Sequence, residues 1–420
     1  MASSKPQSTP EAASEPALAE QARPSPRPFH GMEVERIVGE YGDGPGPLLF
    51  LLCGMHGNEP AGVLAARRVL ADLEARQPSI KGRVVATAGN MTALRQGVRY
   101  VSRDLNRVWT WEQLNAGITD SETDEQREIA AVLARELDRR PEDIVLLDLH
   151  TTSAHGSPFT IISDTLRNRR FSFALEVPVI LGLEENLQGT LLDFLGNYGC
   201  AAIGLEGGQH DAPETVGNHE AAIWITLVRA GLLSESDVPE LNAAHARLRK
   251  AADGIPRVID IQHREEIADG EDFTMVPGFR NFQNIGAGSL LAHTGVDSRE
   301  VRSEEAGILI MPRYQGQGSD GFFLGRRIQG FWVGLSGILR RMKLSRMAAW
   351  LPGISKRRGP KGQRDFFEVD RRVARWFPSD IMHLFGYRQV ESDPDHLVFA
   401  RRVEHPAEID RLLSDFQQLH

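Results

Sequence analysis

The chain has 420 residues, 41% of them hydrophobic and 25% charged, with a formal net charge of -9 and two cysteines, Cys53 and Cys200. That length exceeds one ordinary domain, and the composition suits a globular protein with ample material for a core. A chain this acidic is not by default a nucleic-acid binder. Two cysteines give no disulfide framework, and no run of about 18 apolar residues is present to cross a membrane.

Residues 1–28, MASSKPQSTPEAASEPALAEQARPSPRP, hold no apolar stretch. They read as a disordered tail rather than a signal peptide, and with the cysteine usage they point to the cytoplasm. From about Gly31, strand-like and helix-like segments alternate. PLLFLLCG, GRVVATAGN, DIVLLDLH and CAAIGLEGG are apolar strands; PAGVLAARRVLADLEAR, ETDEQREIAAVLARELDRR and TVGNHEAAIWITLVRAGLL are amphipathic helices. This alternation predicts an α/β layered domain over 31–254 with a largely buried sheet. Near Pro256 the pieces shorten to RVIDIQHREEI, FTMVPGF, SLLAHTG and GILIMPRY, which predicts a small β-rich domain over 255–325. Residues 326–364 carry eleven Lys and Arg and no acid, which leaves -20 on the rest of the chain. Residues 365–420 read as a C-terminal α+β appendage.

One stretch concentrates the chemistry. In LLCGMHGNEPAG a buried strand ends in His56, with Glu59 three residues on, at the turn into a helix. Ligands of open α/β sheets bind beyond the carboxyl ends of strands. A His and a carboxylate so spaced can converge on one ion, and a catalytic zinc takes three protein ligands and a water. His150 ends the strand DIVLLDLH as His56 ends its own, and two neighbouring parallel strands would bring both to one sheet edge. A His at a strand end also serves as a plain polar terminator, and the HxxE pair recurs by chance.

Four motifs in order, GMHGNEPAG, RYVSRDLNRVW, DLHTTSAHG and GLEGG, together resemble the succinylglutamate desuccinylase/aspartoacylase family, relatives of the zinc carboxypeptidases. The resemblance covers roughly residues 45 to 230. It implies a three-layer zinc-carboxypeptidase-like domain with a mixed sheet, and one Zn2+ per chain on His56, Glu59 and His150. It also implies that Glu206 is the catalytic carboxylate, that Asn106 and Arg107 hold a substrate carboxylate, and that Arg99 lies near the scissile carbonyl.

The residue types suit amide hydrolysis. Zinc activates water and polarises a carbonyl, and a nearby Glu moves the proton. Glu206 follows an apolar strand and is flanked by Gly207 and Gly208, which would let substrate approach closely. Arg99 supplies fixed positive charge for an oxyanion, and Arg107 a two-pronged fork for a carboxylate. Plainer readings stand beside these: Glu206 as a cap, and both arginines as surface ion-pair partners. Asp104 reads as a backbone or Arg partner, Asp148 as a second-layer partner of His150 or a buried structural acid, and His155 and His210 as pocket or surface histidines. The glycine-rich stretch PRYQGQGSDGFF is expected to reach over the site and to offer Tyr314 to substrate.

The segment 326–364 reads as a basic amphipathic helix whose apolar stripe packs on the protein, with contact to an anionic membrane surface as the second reading. The expected function is therefore a zinc-dependent amidohydrolase acting on a small N-acyl amino acid, with no nucleic-acid partner. A metallocarboxypeptidase, or an inactive relative serving as a binding or membrane-associated module, are the rivals. Oligomeric state and acyl group are not legible.

Overall fold

The apolar runs become adjacent strands of one sheet. The computed structural model describes residues 33–342, 350, 352–357, 366–370, 372, 378–392 and 395–418. The tail expected over 1–28 and part of the basic segment lie outside them. The main sheet has eleven strands, in the order Ile37–Tyr41, Arg83–Ala88, Leu48–Cys53, Ile144–Thr152, Ala201–Gln209, Phe159–Ile161, Val179–Leu181, Val258–Glu266, Asp320–Arg327, Gly307–Ile310 and Gln283–Ile285. Its centre is parallel: Leu48–Cys53 pairs on one side with Arg83–Ala88 and on the other with Ile144–Thr152, which pairs with Ala201–Gln209. Antiparallel pairs follow on both flanks, so the sheet is mixed.

Both faces of the central strands are buried, and alternation sends successive residues to two different cores. Leu49, Leu51 and Cys53 pack with Val63, Leu70 and Leu73 of helix Ala61–Arg76 and with Ala222 and Ile223 of helix Pro213–Arg229. Leu48, Phe50 and Leu52 pack with Ile129, Leu133 and Leu137 of helix Ser121–Asp138. Helices on both faces make the three layers that continuous apolar strands demand. Asp120 starts the helix Ser121–Asp138 by accepting from the Thr123 amide, with Glu122 and Asp124 in its first turn.

Two features complete the architecture. The segment 255–325 does not stand apart from the sheet: Val258–Glu266, Asp320–Arg327, Gly307–Ile310 and Gln283–Ile285 extend it, while Phe273–Met275, Leu290–Thr294 and Arg299–Arg302 form a separate three-stranded sheet. The C-terminal residues form a four-stranded antiparallel sheet, but helix Ile409–Gln417 leaves it. Leu412, Leu413 and Phe416 of that helix enter the core that holds Phe50 and Phe194.

Buried charge ties these parts together. The Asp164 carboxylate receives Nε and Nη2 of Arg169, and also Nη2 of Arg340 at 2.7 Å from helix Gly330–Arg341. Arg402, fully buried, pairs with Glu184 and Glu185 at 2.8 and 3.0 Å. Burial alone would raise the Asp164 carboxyl, but Arg340 and Arg169 hold it below the usual carboxylate range. Asp164→Ala would strand two buried guanidiniums and should cost about 3–5 kcal/mol, read as a fall in the denaturation midpoint. A depressed carboxyl stabilises above its unfolded pKa. The wild type should therefore keep this contribution above about pH 4 and lose it as pH falls further, with Asp164→Ala showing a flatter profile.

Candidate active site

The turn between strand Leu48–Cys53 and helix Ala61–Arg76 presents His56 and Glu59. It is pressed against its surroundings: a Cβ on Gly57 would lie 2.0 Å from the Ala93 carbonyl carbon, so only glycine fits. The Gly57 amide donates to the Arg99 carbonyl at 3.1 Å, which fixes the turn to the RYVSRDLNR segment. Strand Ile144–Thr152 runs parallel in register, with Cys53 opposite Leu149, so His150 projects at the same sheet edge. One strand further, Glu206 is the register partner of His150.

These residues converge. Glu59, 1% exposed, takes Nδ1 of His56 at 2.9 Å on one oxygen and Nδ1 of His150 at 3.1 Å on the other. The Thr151 amide donates to the same second oxygen at 2.9 Å. Donor atoms of His56, Glu59 and His150 all lie within 4.8 Å of one another. Each imidazole is fixed from behind by a carboxylate, His56 Nε2 by Asp104 at 3.1 Å and His150 Nε2 by Asp148 at 2.9 Å. Both Nδ1 atoms therefore turn inward. Two imidazoles and one carboxylate, with the imidazoles held by outer carboxylates, are the donor set and support that a hydrolytic zinc uses. The residues fit such an ion.

Electrostatics follow from burial. Burial would raise the Glu59 carboxyl, but the His56 and His150 rings hold it well below the usual range. Asp104 is likewise held low against burial by His56, Arg99 and Arg107. Glu206 has too little such help: burial pushes its carboxyl up to about 8, and its Oε2 atom meets no hydrogen-bond partner among the described residues.

Arg99 donates to Glu59 at 3.3 Å and to Asp104 at 3.1 Å, so it braces the histidine turn while lining the cavity. The side-chain oxygen of Asn106 accepts from the Leu191 amide at 3.2 Å, which leaves its NH2 group for other partners. Arg107 donates to the Asn106 carbonyl at 2.9 Å and to Asp320 at 2.8 Å. The cavity they line, of about 140 Å³, has an apolar wall of Ile161, Leu183, Leu187, Leu192 and Phe323.

The glycine-rich loop does come over this cavity, but Tyr314 does not enter it. Its hydroxyl accepts from the Phe279 amide and donates to the Val276 carbonyl, both at 2.9 Å, and the side chain sits outside the lining. Its neighbour Gln315 goes in instead, accepting from Asn58 at 2.8 Å and meeting His210 Nε2 at 3.1 Å. Gln317 clamps the Arg99 segment, accepting from the Arg99 amide and donating to the Tyr100 carbonyl, each at 3.1 Å. Alternation on an extended loop decides which residue points inward, and Tyr314 has the wrong parity.

The glycines of GLEGG also have another reason than substrate approach. A Cβ on Gly207 would lie 2.5 Å from Nε2 of the buried His219 on helix Pro213–Arg229. Glycine there lets the helix close on the strand that carries Glu206. Asp104 and Asp148 had ambiguous sequence readings; Gln315, Gln317 and Asp320 lie in the stretch expected over the site, but nothing singled them out, since their partners are remote in the chain.

Known proteins resemble this arrangement. A family model of the Succinylglutamate desuccinylase/Aspartoacylase catalytic domain matches residues 45–230. Succinylglutamate desuccinylase of Chromobacterium violaceum is 41% identical over 61 residues, 14% of this chain and 18% of that one. An N-acyl-aromatic-L-amino acid amidohydrolase (carboxylate-forming) of Xenopus laevis is 31% identical over 103 residues, 24% of this chain and 33% of that one. The chain thus spans a third or less of the length of these two curated relatives. Succinylglutamate desuccinylase of Shewanella baltica matches at 23% identity over 64% of this chain and 79% of its own. Among solved structures, succinylglutamatedesuccinylase/aspartoacylase from Rhodobacter sphaeroides superposes with a TM-score of 0.51 at 18% identity, covering 70% of this chain and 88% of that one. At that identity the likeness is one of fold.

The outer carboxylate gives a prediction. Asp148→Asn should keep the fold and, if the cluster takes up added Zn2+, weaken that uptake by about 10- to 100-fold, read by competition with a chelator.

Proposed function

We propose that the chain is a zinc-dependent amidohydrolase of the succinylglutamate desuccinylase/aspartoacylase family, whose catalytic-domain model matches residues 45–230, and that it cleaves the amide of a small N-acyl amino acid. The observation that carries the reading is the cluster of His56, Glu59 and His150 beside Glu206, a buried carboxylate with an unengaged oxygen. His56, Glu59 and His150 would hold the ion; bound there, zinc would activate water and polarise the acyl carbonyl.

The remaining work falls to the chain's own side chains. Glu206 takes the proton of the attacking water on Oε2 and hands it to the departing nitrogen. A carboxyl pushed upward by burial is suited to carrying a proton near neutral pH. Arg99, locked by two carboxylates, keeps a fixed positive charge at the cavity wall where an oxyanion would develop. Arg107 and the Asn106 NH2 group anchor the substrate carboxylate, with Asp320 sharing the Arg107 fork. The apolar wall from Ile161 to Phe323 accommodates the uncharged part of the substrate. The small cavity under the loop 311–320 suits a small molecule better than a peptide, which needs an open cleft. Relatives named as desuccinylase and as N-acyl-aromatic-L-amino acid amidohydrolase support the same class of reaction.

Purified wild type should contain about one zinc per chain, and His150→Ala should lose it. Offered a panel of N-acetyl and N-succinyl amino acids, wild type should release free amine. Glu206→Gln should keep its zinc and lose about 10²- to 10⁴-fold in kcat. Zinc-loaded wild type that cleaves peptides and none of the panel would replace this reading with a carboxypeptidase.

A further inference from the structure

The basic segment is unused by the hydrolase site, and its helix Gly330–Arg341 sits on the protein the opposite way from an ordinary surface helix. Apart from Val333, which packs on the core, its inward face is polar. Arg340, with 3% of its side chain exposed, bonds to Asp164 and to the His383 carbonyl, and Ser336 donates to the Leu384 carbonyl at 2.9 Å. Arg169 reaches up to the Val333 carbonyl at 3.0 Å. The outward face is apolar. Phe331 is 69% exposed, Ile338 54% and Met342 63%, with Leu335 half-buried between them. Positions 331, 335, 338 and 342 follow the i, i+4, i+7, i+11 spacing of a single helical stripe, about 16 Å long. Trp332, 50% exposed, lies at its edge with its ring against Phe331. Of the ten large apolar side chains exposed among the described residues, four lie at 331–342 on this one helix and the turn that ends it, so the exposure is a patch and not scatter.

We propose that this outward face of helix Gly330–Arg341 is a docking surface for an anionic lipid bilayer, on which the enzyme sits peripherally. Phe331, Leu335, Ile338 and Met342 would enter the headgroup boundary, with Trp332 at the interface. Charge complementarity selects the occupant. Residues 326–364 hold eleven Lys and Arg and no acid, of which Arg340 is turned inward onto Asp164 and Arg326 is paired with Asp380, whereas the rest of the chain carries -20. Arg327 and Arg341 flank the stripe and are exposed. A negative surface attracts this face and repels the others, which orients the molecule. A symmetric dimer through the same face would instead set the two basic clusters against each other. Insertion is shallow, because no described helix is long and apolar enough to cross a membrane.

The test is flotation of the full-length protein with phosphatidylcholine vesicles, with and without phosphatidylglycerol, at low and high salt. The expected result is binding only to the phosphatidylglycerol vesicles, reduced by salt. Phe331→Ser with Ile338→Ser, and separately Arg327→Gln with Arg341→Gln, should each lower the partition coefficient by about tenfold or more. Retained far-ultraviolet circular dichroism and melting temperature would show that the variants fold. Absence of binding by wild type, equal binding to uncharged vesicles, or wild-type binding by both folded variants would each overturn the proposal. So would sedimentation showing a wild-type dimer that the Phe331→Ser, Ile338→Ser variant loses, since the stripe would then be covered by a second copy.

Discussion

The parallel pairing of Leu48–Cys53 with Ile144–Thr152, and of that strand with Ala201–Gln209, is the constraint on which the site depends. Parallel strands in register end at one edge, so the residues at or just beyond their carboxyl ends must meet there. His56, His150 and Glu206 are those residues. Their meeting brings a carboxylate, two imidazoles and a further carboxylate into a dry place, which is costly unless each is partnered. The partners are present: Asp104 and Asp148 behind the imidazoles, the Thr151 amide and Arg99 on Glu59. Glu206 keeps a bare oxygen facing the cavity and is bonded to neither imidazole, which separates a group that can carry a proton from the groups that can hold an ion.

The cavity walls come from elsewhere in the chain, and the C-terminal residues reinforce them. Leu183–Glu185 and the helix Leu191–Gly196 form one side. Glu184 and Asp193 on that side are gripped by Arg402 and Arg388 from the last quarter of the chain. The loop 311–320 forms another side through Arg313, Gln315 and Asp320. Asp320 joins Arg107 to Arg264 at 2.8 and 2.7 Å, so one side chain ties the end of the loop to Arg107. The C-terminal unit thereby braces the cavity wall through Glu184 and Asp193. Its own attachment rests on buried ion pairs, which explains why Arg340 turns inward and leaves an apolar stripe outside.

Much of this was legible because it is local. The apolar runs ending in Cys53, His150 and Glu206 are recognisable as buried strands, since both faces of a central strand demand apolar residues. The helices declare themselves by period. His56 and Glu59 are three apart on one turn, a relation the chain itself carries. Tyr314 and helix Gly330–Arg341 mark the limit. A glycine-rich loop shows that something polar crosses a site, but whether Tyr314 or Gln315 points inward depends on where Ser153, Val276 and Phe279 stand. An amphipathic pattern gives the angle between two stripes and is silent on which stripe faces the protein.

By itself the sequence determined the layered α/β core and the strand ends, because these depend on hydrophobic period and on neighbours within a few residues; the metal-binding and catalytic candidates came from four motifs that resemble a known family. Tertiary structure decided what stands behind each of them: Asp104 and Asp148 on the histidines, Asp320 on Arg107, His219 against Gly207, and Asp164 drawing Arg340 inward. Each of these is a charge, a ring or a close approach between segments remote in the chain. Burial makes an unpaired charge too costly to leave alone, but only the folded backbone determines which partner is within reach.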